Sequence, residues 1–92
     1  MNDALRALKQ RFLERCERDL VLVEQAMEDP AVTATADFAG AIHKLSGAAG
    51  SFGYAALSDL AGLVDDELMA DGAPSQAALL ALAEGLRSLK AL

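Results

Sequence analysis

Phe38-Ala39-Gly40-Ala41-Ile42-His43-Lys44-Leu45-Ser46-Gly47-Ala48-Ala49-Gly50-Ser51-Phe52-Gly53 is the stretch that decides how this chain folds. Phe38, Ile42, Leu45, Ala49 and Phe52 recur at steps of 4, 3, 4 and 3, the spacing of one apolar face on a helix. Gly53 follows where a helix C-terminus wants a residue free to take positive φ. Upstream, Pro30 blocks continuation from whatever precedes it, and Thr33 or Thr35 can accept a hydrogen bond as N-cap. The segment predicts an amphipathic helix with one face buried.

The same period extends to both sides. Leu5, Leu8, Phe12, Cys16, Leu20, Val23 and Met27 form one stripe, capped by Asn2 or Asp3 and stopped at Asp29-Pro30. At 1.5 Å per residue such a helix is roughly 38 Å long, so fraying or a bend near its start is expected. A third stripe, Leu57, Leu60, Ala61, Val64 and Leu68, predicts a helix from about Tyr54 to Met69. Asp71-Gly72-Ala73-Pro74 breaks it, Ser75 can cap the next, and Leu79, Leu82, Ala83, Leu86 and Leu89 face inward on a fourth. Composition agrees: 20 Ala and 16 Leu stand against four Val, one Ile and two Thr among 92 residues, which favours helices and disfavours strands. Short links make sequential helices antiparallel neighbours. The expected fold is all-α, an up-down-up-down antiparallel four-helix bundle over residues 1–92 as one domain.

Charge excludes several function classes. Eight Lys/Arg against 14 Asp/Glu give a net −6, the wrong sign for a nucleic-acid footprint or an anionic lipid surface. One Cys, Cys16, and one His supply neither an internal disulfide nor a zinc cluster, so no metal site is expected. Apolar runs are too short to span a membrane, and Met-Asn-Asp-Ala-Leu-Arg does not begin a signal peptide. The expected location is the cytoplasm.

The segment around His43 is less ordinary than the bundle. It holds four of the seven glycines, and Gly40, Gly47 and Gly50 lie inside the predicted helix. Each costs a helix about 1 kcal/mol relative to alanine, so something must offset the loss. The helical neighbours of His43 are Ala39, Gly40, Ser46 and Gly47, with Gly50 a turn further, all of them small. His43 also lies beside the buried stripe rather than within it. Between Arg18 and Arg87 the only basic residue is Lys44, among 11 Asp/Glu. Singly, each feature has an ordinary explanation: a surface histidine, glycines in close packing, a solvated lysine. Their coincidence at helical spacing describes an imidazole open to another protein, with a cation able to offset a phosphate.

His43-Lys44-Leu45-Ser46-Gly47 followed by Gly53 resembles the H-x-L-x-G-x(5)-G signature of histidine-containing phosphotransfer (HPt) domains. The resemblance implies that His43 is the phosphoacceptor and Lys44 its basic neighbour. Leu45 becomes a core anchor, Gly47 an opening beside the histidine, and Gly53 the helix terminator. Many members carry lysine three residues after the histidine; here that position is Ser46, which could donate a hydrogen bond to a phosphoryl oxygen.

Imidazole, with an ordinary pKa of about 6.5, is a competent neutral nucleophile near pH 7. Phosphoryl transfer otherwise needs positioning and charge neutralisation, yet the chain has no phosphate-binding loop, kinase motif or acid-bearing strand. The resemblance assigns that machinery to receiver domains of response regulators or of a hybrid histidine kinase. Such a receiver brings the aspartyl phosphate, Mg²⁺ and a catalytic lysine. The expected protein is therefore a phosphorelay carrier rather than an enzyme, without a cofactor of its own, and a monomer that binds transiently. The competing readings are an adaptor bundle with an incidental histidine, the phosphotransfer domain of a chemotaxis-type kinase, and an enzyme built on His43, Ser46 and a carboxylate such as Asp59. The docking surface is expected around Gly40, Gly47 and Gly50, flanked by off-stripe Leu13, Val21 and Leu22 of the first helix. Counting from the turns sets His43 opposite about residue 62 of the third helix and about residue 20 of the first.

Overall fold

A computed structural model describes residues 3–90. Four helices account for most of them: α1 (Asp3–Glu28), α2 (Ala36–Ser51), α3 (Ala55–Asp71) and α4 (Gln76–Lys90). Each helix packs on its neighbours in the chain and α1 closes the ring against α4, the up-down-up-down arrangement predicted from the stripes. The core is formed by the stripe residues themselves: Phe12, Cys16, Leu20 and Val23 from α1, Phe38, Ile42, Leu45 and Ala49 from α2, Leu57, Ala61 and Val64 from α3, and Leu79, Leu82, Ala83 and Leu86 from α4.

The breaks fall where the sequence puts them, with local chemistry that explains each. Asp29, held extended by the proline after it, accepts a 3.0 Å hydrogen bond from the Ala31 N–H through its carboxylate. Pro30–Ala34 then forms a 3-10 turn that hydrophobic periodicity does not reveal. Of the two candidate caps, Thr35 serves α2, its hydroxyl accepting from the Phe38 N–H at 3.1 Å. Thr33 is buried instead and donates to the Pro30 carbonyl at 2.7 Å. Replacing Thr35 by alanine should cost about 1 kcal/mol, read as a lower urea midpoint with unchanged slope. Asn2, the other candidate cap of α1, lies outside the described residues.

At the far end of α2, Gly53 adopts φ +86°. The Tyr54 N–H donates to the Ala49 carbonyl at 2.8 Å and the Gly53 N–H to the Gly50 carbonyl at 3.2 Å, the paired bonds of a Schellman termination. Gly72, at φ +79°, ends α3, and the Ser75 hydroxyl caps α4 by accepting from the Ala78 N–H at 3.1 Å. Between α3 and α4, Gly85 allows a close approach: a Cβ there would lie 2.7 Å from Leu60 Cδ1.

Two members of the α1 stripe depart from expectation. Leu5 and Leu8 are about half exposed. The cause is length: the 26 residues of α1 span about 39 Å, the 16 of α2 only about 24 Å. The other helices stop near an aromatic cluster in which Phe12 stacks on Phe52 and Tyr54 at 5.1 and 5.6 Å between centroids. The apolar stripe thus continues past the core it would fill. Leu60 and Leu68 of α3 are half-buried and pack against the rim of the core.

Candidate functional site

His43 is the eighth residue of α2, and its side chain is 77% exposed. Ile42 and Leu45 on either side are fully buried, so the helix is anchored through its core face while the imidazole stands outward. The ring nevertheless has a partner on the neighbouring helix. Its Nδ1 lies 3.1 Å from Oδ2 of Asp65 on α3, a carboxylate only 19% exposed. An ionised carboxylate can only accept, so Nδ1 carries the proton and donates it. In the neutral ring this leaves the lone pair on Nε2.

Small residues along the α2–α3 seam bring Asp65 within reach. Ser46 and Ser58 bond reciprocally across it: the Ser46 hydroxyl donates to the Ser58 carbonyl at 3.2 Å, and the Ser58 hydroxyl to the Ser46 carbonyl at 2.8 Å. A Cβ on Gly50 would meet Ser58 Oγ at 3.4 Å, and one on Gly62 would meet Ser46 Oγ at 3.5 Å. The pairs Gly50–Ser58, Ser46–Gly62 and His43–Asp65 step three or four residues along each helix in opposite directions. With two backbones this close, the short side chain of an aspartate suffices to touch the imidazole. The partner level is Asp65 rather than residue 62, because residues 52–54 are used in the turn before α3 begins at Ala55.

The other predicted residues divide between two sides of α2. Gly40 and Lys44 line a groove against α1 together with Ala36, Asp37 and Ala41 of α2 and Arg15, Arg18 and Asp19 of α1. His43 leans the other way, toward α3. Gly47 is exposed, and a Cβ on it, or on Gly40, would meet nothing within 4 Å. No internal packing therefore compensates the helix-propensity cost of these two glycines. Gly50 differs, since its missing side chain makes room for Ser58.

Three expectations need revision on this geometry. The one proton of Ser46 is committed to the Ser58 carbonyl, so this residue bridges two helices and does not present a free donor beside His43. The Ser46–His43–Asp59 enzyme reading fails for the same reason, and the carboxylate that meets the imidazole is Asp65. Nor are Leu13, Val21 and Leu22 gathered beside His43. Leu13 lines a groove with Leu86 and Leu89, Val21 lines another with Arg87, both between α1 and α4, and Leu22 is half-buried against the core. The α1 residues that line the groove against α2 are Arg15, Arg18 and Asp19, and the two arginines form an i, i+3 pair that apolar patterning passes over.

Cys16 is buried, and burial, with Asp19 nearby, pushes its thiol up to about 11. At neutral pH it is a packing residue, not a nucleophile. No helix among the described residues is long and apolar enough to cross a membrane.

Comparison with curated proteins and with solved structures gave no match. The model of one protein family does match, that described as the Hpt domain, and it does so over residues 7–92, a span that takes in α1 from its second turn and all of α2, α3 and α4. An outward imidazole on the second helix of a four-helix bundle thus stands within a match to nearly the whole chain, and the chain belongs to the Hpt domain family.

Proposed function

We propose that this domain is a phosphorelay intermediate that carries a phosphoryl group on Nε2 of His43. Hpt domains are phosphotransfer modules of two-component systems and act as carriers rather than enzymes. A receiver domain presents its aspartyl phosphate to His43. The Nε2 lone pair forms the N–P bond as the acyl P–O bond breaks, and the receiver's aspartate leaves as carboxylate. The reverse exchange hands the group to the aspartate of another receiver. Mg²⁺ and the lysine that assist transfer belong to the receiver and need no residue of this chain. The work takes place in the cytoplasm.

The observation that carries this reading is the hydrogen bond from His43 Nδ1 to Asp65. It holds the ring in one orientation, keeps the proton on Nδ1 and leaves Nε2 nucleophilic toward solvent. When Nε2 takes the phosphoryl group the imidazole acquires positive charge, and the adjacent carboxylate stabilises it. Lys44, on the same exposed side of α2 but toward α1, adds a cation to offset the phosphoryl charge. An incidental histidine would account neither for the ring's fixed orientation nor for the open space over Gly40 and Gly47.

The direct test is incubation with a phosphorylated receiver domain, followed by intact mass and peptide mapping. An acid-labile phosphoryl group on His43 is the expected product. Asp65→Asn should lower the transfer rate by on the order of tenfold, since the amide keeps the hydrogen bond but not the charge. Wild-type kinetics in Asp65→Asn would show that the charge of the carboxylate has no part in transfer.

A further inference from the structure

We propose that the groove between α1 and α2 is a docking cleft for an acidic segment of the partner protein. The proposal deepens the carrier reading and rests on it, because the segment belongs to the receiver that reaches His43. Three of the eight Lys/Arg of a chain with net charge −6 line this one groove: Arg15, Arg18 and Lys44. Arg15 is tied down, with its Nε 3.5 Å from Asp19 Oδ2 and a terminal nitrogen donating to the Ala41 carbonyl at 3.4 Å. Arg18 and Lys44 are exposed and, among the described residues, form no ion pair.

The groove also holds acidic side chains, and the deeper of them is shielded from an occupant. Asp19 lines the groove yet is only 6% exposed, and its Oδ2 has no hydrogen-bond partner. Arg15 approaches it at 3.5 Å as an ion pair. A buried carboxylate oxygen without a donor is costly. Because that oxygen is sealed from the groove, an acidic peptide segment meets Arg18 and Lys44 there, with Asp37 the exposed carboxylate among the lining residues.

The opposite flank of α2 excludes the same partner. Over its whole length α3 carries no Lys or Arg, and it presents Asp65, Asp66 and Glu67 near the level of His43. A carboxylate-bearing surface centred on His43 is repelled from α3 and drawn toward α1. The flanking helix is therefore α1, as expected from the acids of the third helix, but the contact is made by arginines near the level of Arg15, which bonds the Ala41 carbonyl, rather than by residue 20 or by Leu13, Val21 and Leu22.

The test compares two phosphoryl donors on the full chain. Phosphoramidate is too small to fill the groove, whereas a phosphorylated receiver must dock. Arg18→Glu should slow transfer from the receiver by on the order of tenfold at low ionic strength, with the difference shrinking as salt is raised. Arg18→Gln should show a smaller loss and Arg18→Lys nearly none. Labelling of His43 by phosphoramidate should be the same in all four proteins. Full-rate transfer to Arg18→Glu at low salt overturns the proposal, as does a loss of equal size in Arg18→Lys. The failures are separable: if phosphoramidate does not label wild-type His43, the carrier reading falls. If it does and Arg18→Glu still receives phosphate at full rate, only the groove is lost.

Discussion

His43→Gln is expected to abolish phosphate acceptance from every donor while leaving the bundle folded. Glutamine approximates the length and polarity of the side chain but has no nitrogen lone pair able to attack phosphorus. Because the imidazole is 77% exposed and its flanking anchors Ile42 and Leu45 are untouched, the stability change should stay within about 0.5 kcal/mol. Circular dichroism and a urea titration check the fold, and intact mass after incubation with a phosphorylated receiver checks the chemistry. A mutant that still gains one phosphoryl group would falsify the assignment of His43. A mutant that unfolds would mean that the bond to Asp65 holds α2 to α3 and not merely the ring.

Gly47→Gln should separate stability from function in the opposite sense. Gly47 is helical, exposed and faces open space, so a side chain there strains nothing. Removing a helical glycine should stabilise the domain by about 0.5–1 kcal/mol, seen as a higher urea midpoint. Yet Gly47 is one helical turn beyond His43 on the surface a receiver must cover. A side chain there displaces the partner from the short range that in-line transfer needs, and misplacement by about 1 Å can cost on the order of a hundredfold. The expected result is a more stable protein that phosphoramidate still labels at His43 but that exchanges phosphate with receivers at least that much more slowly. Transfer at the wild-type rate would remove Gly47 from the docking surface. The same change at Gly50 is less clean, since a Cβ there already meets Ser58 Oγ at 3.4 Å and would perturb the seam that brings Asp65 to the imidazole.

How much of this was legible in one dimension depends on the range of the interaction. The four stripes, the cap at Thr35, the positive φ of Gly53 and the cap at Ser75 are consequences of residues within one or two turns of each other. Periodicity and turn chemistry carry such information directly. The outward position of His43 follows from the same logic, because a residue one step from Ile42 and two from Leu45 cannot share their buried face. The family resemblance was legible too, since it rests on a short motif in an all-α chain, and the family match over residues 7–92 agrees with it. Leu5 and Leu8 fit the local pattern yet lie beyond the core. Periodicity measures the face of a helix but not where its neighbours stop.

By itself the sequence determined the helices, their ends, the buried faces and the histidine that stands apart from them. Tertiary structure alone decided what surrounds that histidine. Asp65 is 22 residues away along the chain and reaches the ring only because Ser46, Gly50, Ser58 and Gly62 let α2 and α3 approach closely. Ser46 looked available from its place on α2, but its proton belongs to a carbonyl of α3. Arg15 and Arg18 became neighbours of Lys44 once the turn at Pro30–Ala34 folded α1 back against α2. The physical reason is common to all three. Helix formation is governed by contacts three and four residues apart, whereas charge pairing and hydrogen bonding between helices depend on the rotation and register of whole elements. A shift of one residue along a helix turns its side chains by about 100°, enough to exchange an acidic neighbour for a basic one.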